Sequence, residues 1–249
     1  MIFYLGVHES AWLQWATVPL CVSHRRLKRR VTMPRAIVPW VLDSGGFSEL
    51  TMYGTWRTTP AEYLAAVERY REEVGLMEWA AVQDWMCEPA VRAQTGGTVA
   101  LHQERTVMSY LQLLERAPAV TWLPVLQGWD PWEYEAHWSL YDRYGIDLEN
   151  LSCVGLGSVC RRQSDRIIQG IVQRLQPLRL HGFGVKVAGL KLIGHQLVSA
   201  DSMAWSLGAR RQPPMAGCAH RSCQNCLRYA EWWAQRIQGA ADGTEATTQ

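Results

Sequence analysis

Seven short apolar runs, each followed by a stretch with helical periodicity, constrain the fold of this chain more than any other feature of its 249 residues. The runs are continuous rather than alternating in hydrophobicity, and they lie at residues 3–7, 36–43, 77–84, 121–128, 151–158, 178–185 and 196–201. Continuous apolar strands that each precede a helix are typical of a parallel sheet covered on both faces. The pattern predicts an α/β fold, a (β/α)8 TIM-type barrel. Its eighth strand is inferred, because the segment after Asp201 shows no clear strand.

The composition is that of an ordinary globular protein, with 48% hydrophobic and 19% charged residues. No apolar run is long enough to span a bilayer, so we expect a cytoplasmic protein without a membrane partner. We expect the barrel to occupy residues 1–210, a metal-binding segment and C-terminal helix to occupy 211–238, and a disordered tail to occupy 239–249. Thr59 and Pro60 predict the N-cap and first turn of a helix.

Polar residues or glycines stand where five of the apolar runs stop. They are Asp43, Asp84, Gln127, the glycine pair Gly155 and Gly157, and Asp201. Each of them alone has an ordinary alternative as an N-cap or turn residue. Because the carboxyl ends of barrel strands meet at one face, we expect the set to converge on one pocket.

The residue types in this set suit cleavage of a glycosidic bond. One carboxylate attacks the anomeric carbon, and the second handles the proton on the leaving and entering groups. Asp84 and Gln127 have the acceptors and donors that read a purine edge, and Phe47 and Phe183 are candidates to lie against its faces. Trp85 is a further candidate for stacking on a base. A barrel glycoside hydrolase that uses the same two carboxylates remains an alternative.

A basic run lies between the first two apolar runs, although the net charge of the chain is only +2. It contains Arg25, Arg26, Lys28, Arg29 and Arg30. Such a run is either a solvated loop or a surface that contacts nucleic-acid phosphates.

Three of the seven cysteines crowd into residues 218–226 together with a histidine. Cys218, His220, Cys223 and Cys226 have the spacing and donor types of a tetrahedral zinc site, with free thiols in a loop as the alternative. Four protein ligands leave no open position for a substrate water. We therefore expect a structural Zn²⁺ ion that stabilises the C-terminal helix.

Six short motifs, in order along the chain, carry a resemblance to a known family. They are LDSGGF at 42–47, VQDW at 82–85, PVLQG at 124–128, VGLGS at 154–158, HGFGV at 181–185 and SADSMAWS at 199–206. In type and order they resemble the tRNA-guanine transglycosylase superfamily, and within it the shorter phage and bacterial branch that modifies DNA, the DpdA-type deazapurine transglycosylases.

The resemblance implies a role for each matching position. Asp43 corresponds to the acid/base group and Asp201 to the nucleophile on the ribose C1′. Asp84 and Gln127 correspond to base-binding residues, Gly155 to Gly157 to backbone contacts, and Phe47 to a ring that stacks on the base. The implied enzyme is a pentosyltransferase that replaces guanine in DNA by a free 7-deazaguanine such as preQ0, through a covalent Asp201 intermediate.

The chain also departs from the superfamily pattern. The superfamily carries C-x-C-x2-C and a distant His, whereas here a His stands second and Cys226 supplies a fourth donor. Ser48 occupies a position where the tRNA enzymes usually have Gln, and the parts that hold folded tRNA do not follow, which favours DNA. The alternatives are a compact tRNA-guanine transglycosylase and a non-catalytic zinc-containing subunit that binds nucleic acid. Helicase or ATPase partners that open the duplex, and a location in the host cytoplasm of a phage-encoded protein, belong to the same expectation.

Overall fold

A computed structural model describes residues 1–160 and 165–241 of the chain. Nine parallel strands form one sheet in the order β5-β4-β3-β2-β1-β9-β8-β7-β6. The strands are β1 (Ile2–Val7), β2 (Leu20–Ser23), β3 (Trp40–Asp43), β4 (Met77–Ala81), β5 (Trp122–Leu123), β6 (Val125–Leu126), β7 (Val154–Leu156), β8 (Leu180–Gly182) and β9 (Ser199–Ser202).

The two strands at the ends of this order, β5 and β6, are consecutive along the chain and are separated only by Pro124. Proline has no backbone N–H to donate to a sheet ladder, so the strand is interrupted there. Before the break along the chain, β5 pairs with β4, and after the break β6 pairs with β7. Counted as one broken strand, β5 and β6 complete a nearly closed barrel of eight strand positions, which confirms the predicted fold.

Helices follow the strands and cover the outside of the barrel. They are α1 (His24–Leu27), α2 (Gly46–Tyr53), α3 (Pro60–Glu73), α4 (Pro89–Thr95), α5 (Val99–Arg116), α6 (Pro131–Arg143), α7 (Asp165–Arg174), α8 (Val187–Ile193), α9 (Ala204–Arg210) and α10 (Leu227–Ala241). Thr59 is the N-cap of α3, as predicted, and it forms a capping box with Glu62 while Pro60 occupies the first turn.

The strand that the sequence pattern left unidentified is β2. It has four residues and is followed by a helix of only four residues, so it lacks the long amphipathic stretch that marks the other strands. The segment after β9 forms helix α9 instead of a strand. The missing strand position therefore lies between the first two predicted strands and not after Asp201.

Alternate residues along the strands separate into two apolar clusters, as expected for a sheet with two buried faces. The smaller cluster fills the barrel interior with Tyr4, Cys21, Val41, Trp79, Ala81 and Leu123. The larger cluster lies between the strands and the surrounding helices.

Helix α10 packs on the outside of the barrel against β1, and its last turns reach the amino-terminal end of that strand. Its Ala230, Ala234 and Ile237 belong to the same core as the barrel, and the Gln238 amide bonds to backbone atoms of Met1 and Phe3. The helix reaches Ala241, so the predicted tail at 239–249 begins inside it. Residues 242–249 lie outside the described part of the chain. In residues 1–160 and 165–241, none of the helices has the length and apolarity needed to cross a bilayer.

Candidate active site

Polar side chains from four strand positions line one cavity at the carboxyl ends of the barrel strands. The cavity has a volume of about 240 Å³, and its lining includes Asp43, Asp84, Gln127 and Asp201. Asp43 ends β3 and Asp201 lies in β9, while Asp84 and Gln127 follow β4 and β6. Closure of the barrel thus brings together four residues that are far apart in the sequence.

Asp43 is held by a tight turn directly after β3. Gly45 has φ +82°, a left-handed backbone conformation that residues other than glycine rarely adopt. Its N–H donates to Asp43 Oδ2 at 3.1 Å. Burial raises the pKa of Asp43 to about 6, and the charge of Asp201 adds to the rise, whereas hydrogen bonds from Ser23 and Gly45 oppose it. A carboxyl group with this pKa exchanges protons readily near neutral pH.

Asp84 and Gln127 form a buried hydrogen-bonded chain with two serines. Gln127 Nε2 donates to Asp84 Oδ2 at 2.5 Å, and Ser44 Oγ donates to Asp84 Oδ1 at 3.2 Å. The other end of the amide, Gln127 Oε1, accepts from Ser158 Oγ at 2.7 Å. Burial, together with the nearby charge of Asp43, raises the pKa of Asp84 to about 7 against the opposing effect of the Gln127 and Ser44 hydrogen bonds.

Asp201 is fixed from one side by the segment after β8. Its Oδ1 atom accepts from the Gly184 N–H at 2.9 Å and lies 3.4 Å from Nε2 of His181, which is fully buried and makes no hydrogen bond through that atom within the described residues. The other ring nitrogen of His181 lies 2.9 Å from Ser199 Oγ. Asp201 Oδ2 has no hydrogen-bond partner in the described part of the chain, so this oxygen is free to contact a ligand.

Phe47 and Phe183 both line the cavity. Phe47 lies in the first turn of α2 after β3, and Phe183 directly follows β8. Since β3 and β8 are four positions apart in a ring of eight, the two aromatic rings approach the cavity from opposite sides of the barrel. A flat ligand between them would have apolar surface on both faces.

The glycines in β7 and directly after it provide room for site side chains. A Cβ atom at Gly157 would lie 2.2 Å from Gln127 Nε2, and one at Gly155 would lie 2.7 Å from the Phe183 ring. Gly157 lines the cavity, whereas Gly155 lies outside its lining beneath Phe183. In this structure the absence of side chains at Gly157 and Gly155 therefore lets Gln127 and Phe183 pack closely against the backbone.

Four residues of the site were not identified from the sequence. Ser44 and Ser158 lie inside the motifs LDSGGF and VGLGS but had no predicted role. Ser23, which hydrogen-bonds Asp43, ends the strand β2 that the pattern did not reveal. His181 belongs to the HGFGV motif, and its spacing of two from Phe183 gives the signal that both side chains face the same side of the extended chain.

The basic run is divided between internal contacts and open surface. Lys28 forms an ion pair with Glu49 at 3.0 Å, and Arg30 bonds to Ser10 and to the Thr32 carbonyl. The Arg25 side chain passes beside the Gly45 turn, where a Cβ atom would meet it at 2.8 Å.

The other two members of the run, Arg26 and Arg29, are exposed and make no side-chain ion pair with any described residue. Contact of this run with nucleic acid therefore stays a prediction, with Arg25, Arg26 and Arg29 as the members least committed elsewhere.

The cysteine and histidine cluster forms a compact group at the C-terminus. The ligand atoms of Cys218, His220, Cys223 and Cys226 all lie within 4.8 Å of one another. The Cys218 and Cys226 sulfurs are 4.0 Å apart, and His220 Nε2 lies 3.2 Å from Cys223 Sγ. Ligand atoms around a tetrahedral zinc ion are separated by about 3.5–3.8 Å, so the donor set and its spacing fit zinc.

The cluster is tied to the helix that follows the Asp201 strand. Ser206 of α9 donates to the Gln224 carbonyl at 2.9 Å, and Ser222 donates to the Ala209 carbonyl at 3.2 Å. Trp205, also in α9, donates through Nε1 to the Gly6 carbonyl of β1 at 2.8 Å. A metal ion held here would stabilise α9 and α10 rather than enter the cavity.

A family model described as "DpdA: DeoxyPurine in DNA protein A" matches residues 1–248, nearly the whole chain. No curated protein matches the chain. The matched region contains the barrel, every residue of the cavity and the cysteine and histidine cluster.

The raised pKa of Asp84 predicts a pH-dependent stability. Between about pH 4 and pH 7 the folded protein holds a proton that the unfolded chain has released, so stability falls as the pH rises through this window. Asp84→Asn removes this proton exchange. We expect its free energy of unfolding to exceed that of the wild type by on the order of 2 kcal/mol at about pH 8 and to match it near pH 4.

Urea unfolding at the two pH values measures this difference. Asp142→Asn, which changes an exposed carboxylate of α6, is the matched control and should show no such pH dependence. An Asp84→Asn protein that is less stable than the wild type at pH 8 would contradict the buried charge assigned to Asp84.

Metal analysis tests the cluster. We expect the purified protein to carry one zinc ion per chain, and Cys226→Ala to lose it with a fall in Tm of about 5–10 °C, because bound metal stabilises only the folded state. Cys153→Ala, which removes a cysteine outside the cluster, should keep the metal. Retention of zinc by Cys226→Ala would show that the four residues are not the ligand set.

Proposed function

The chain belongs to the DpdA family, transglycosylase-like enzymes that act in 7-deazaguanine modification of DNA, and from that premise we propose that it exchanges guanine in DNA for a free 7-deazaguanine such as preQ0. The observation that carries this proposal is the meeting of Asp43, Asp84, Gln127 and Asp201 in one cavity. Asp43 and Asp201 act on the glycosidic bond, and the buried pair of Asp84 and Gln127 holds the base.

Asp201 is the proposed nucleophile. With Oδ1 occupied by the Gly184 N–H, the free Oδ2 attacks C1′ of the deoxyribose, and a C1′–O bond forms as the C1′–N9 bond to guanine breaks. The bonding electron pair leaves with the guanine, which takes a proton from Asp43. The phosphodiester bonds take no part, so the strand stays intact.

The second half of the exchange reverses these steps with another base. The incoming 7-deazaguanine gives its N9 proton to Asp43, and N9 attacks C1′ while the bond to Asp201 breaks. Asp43 ends protonated and Asp201 ends as a free carboxylate, as both began. A pKa of about 6 suits Asp43 to both directions of this proton transfer.

Asp84 and Gln127 are the proposed base-binding pair. An ionised carboxylate offers about four lone-pair sites, of which Ser44 and Gln127 use two, so Asp84 retains acceptors for the N–H groups of a guanine edge. Phe47 and Phe183 supply the stacking surfaces on either side. Because the target base must leave the helix stack to enter the cavity, contacts to base and backbone must offset a cost of a few kcal/mol.

His181 is a proposed positioning residue for the nucleophile. Its fully buried ring lies against Asp201 Oδ1, and the Ser199 hydroxyl fixes the ring from the other side. It keeps the Asp201 carboxylate turned with Oδ2 toward the cavity.

An exchange assay tests the proposal. Purified protein is incubated with radiolabelled preQ0 and either single-stranded DNA, duplex DNA or tRNA, and the nucleosides of each digested nucleic acid are analysed. We expect label in the DNA digest, and we expect Asp201→Asn to lower the rate by about 10³-fold or more, since it removes the attacking oxyanion. The exposed-carboxylate control Asp142→Asn should retain the wild-type rate.

Label in tRNA but not in DNA would move the assignment to a tRNA-guanine transglycosylase. Label in neither, with DNA binding retained, would move it to a non-catalytic subunit of such a complex.

A further inference from the structure

A second cavity lies beside the one lined by Asp43, Asp84, Gln127 and Asp201, which we call the reaction cavity. This second cavity has no role in the proposed chemistry. Its volume is about 640 Å³, and its lining includes Trp56, Gln83, Trp85, Arg105 and Ser109. We call it the Trp56 cavity. It is bordered by the loop before α3, the segment after β4 and one face of α5.

The segment after β4 contributes to both cavities in alternation. Asp84 lines the reaction cavity, whereas its neighbours Gln83 and Trp85 line the Trp56 cavity. The backbone turns tightly at Gln83, where the Asp84 N–H donates to the Val82 carbonyl at 2.9 Å, and neighbouring side chains on either side of this turn face different cavities. The wall between the cavities is thin near Gly46, where an added Cβ atom would lie 2.7 Å from Trp56 and 2.9 Å from Met86, a residue of the reaction cavity.

Three buried polar atoms of the Trp56 cavity lack hydrogen-bond partners among the described residues. They are Trp56 Nε1, Gln83 Oε1 and Ser109 Oγ. Unpaired buried polar atoms are uncommon in folded proteins, and three around one cavity indicate that a ligand completes them. The other such atoms in the described part belong to three histidines outside this cavity.

The Gln83 amide is fixed rather than free to turn. The residue is only 3% exposed, and its Nε2 donates to the Thr58 carbonyl at 2.8 Å. The unpaired Oε1 is therefore presented as an acceptor, beside a Trp56 N–H that is a donor and a Ser109 hydroxyl that acts as either.

An aromatic face and a positive charge lie next to these atoms. The Arg105 guanidinium stands 4.3 Å from the centre of the Trp85 ring, and the Arg105 side chain is exposed. Tryptophan rings and guanidinium planes are the surfaces on which unstacked bases rest, and the charge of Arg105 suits an adjacent phosphate.

We propose that the Trp56 cavity binds a second nucleobase. A base offers a flat ring for the Arg105 guanidinium that lies over Trp85, together with the edge donor and acceptor that Gln83 and Trp56 require. The base belongs either to the DNA strand, next to the target guanine, or to a free purine. This inference rests on the proposed function only in taking DNA as the substrate.

Ser109→Ala and Trp56→Phe test this cavity with little other disturbance. Ser109→Ala deletes a hydroxyl with no partner, so the stability of the free protein should be unchanged or higher. Trp56→Phe deletes the unpaired N–H and keeps an aromatic ring. The Tm of this variant is measured so that binding is assayed at a temperature at which the protein is folded. Ser139→Ala, an exposed serine of α6, and Trp15→Phe, an exposed tryptophan, are the matched controls.

Binding is measured by fluorescence anisotropy with a labelled single-stranded oligonucleotide that contains one guanine, and with a set in which each other position in turn is abasic. For the wild type we expect one abasic position near the guanine to weaken binding by about five- to tenfold, the worth of one or two hydrogen bonds. We expect Ser109→Ala and Trp56→Phe to bind the intact oligonucleotide about five- to tenfold more weakly than the wild type does. In these variants, an abasic site at the same position should reduce affinity less than it does in the wild type.

Equilibrium dialysis with radiolabelled guanine is the arm for a free base. Two guanine sites in the wild type and one in both variants would identify a free purine as the occupant. If the effect of one abasic position on binding depends on Ser109→Ala and Trp56→Phe, the occupant is a base of the DNA strand. If neither variant alters the abasic pattern or the guanine stoichiometry, the Trp56 cavity is not a base site. Neither assay measures exchange, so a protein that failed the preQ0 assay would still answer this question.

Discussion

The parallel sheet closes into a barrel at the Pro124 break, and this closure places the polar residues of the cavity. The break divides one strand position into β5 and β6, and Gln127 follows directly after the second piece. From there its side chain reaches Asp84 on one side and Ser158 on the other. This hydrogen-bonded chain links the segments after β4, β6 and β7, so the place where the sheet ladder is interrupted is joined by side chains of the site.

The same arrangement explains why the site is held at a cost to stability. The carboxylates of Asp43 and Asp84 are kept close together, with Asp84 buried and Asp43 partly buried, and burial shifts both pKa values upward. Each is partly compensated by local donors: a tight turn at Gly45 for Asp43, and Ser44 with Gln127 for Asp84. Catalytic sites commonly retain such destabilising groups because the reaction needs them, and in the proposed mechanism these groups serve proton transfer and recognition of N–H groups near neutral pH.

Much of the fold and of the site was predictable because strand ends leave a strong pattern in the sequence. Asp43, Asp84, Gln127 and Asp201 each stop an apolar run, and the barrel topology requires such positions to meet. Ser23 was not predictable by this route, since the four residues of β2 and the short helix after it carry too little periodicity.

Long-range packing accounts for what else the sequence did not reveal. Nothing in the sequence indicates that Gly157 makes room for Gln127, or that Lys28 of the basic run is held by Glu49. The Trp56 cavity is of the same kind, because its unpaired atoms come from three separate segments and only one of them, Gln83 in VQDW, belongs to a motif. Only the packed structure shows which polar atoms found partners and which did not.

In the proposed mechanism Asp43 and Asp201 act on one nucleotide across one cavity, and a trapped covalent intermediate is the strictest check of that mechanism. Single-stranded DNA is incubated with the protein without a free base, quenched in denaturant, and the products are separated by mass. We expect a covalent protein–DNA adduct whose peptide carries the deoxyribose on Asp201 and which disappears in Asp201→Asn. An adduct on any other residue, or exchange of label without one, would contradict it.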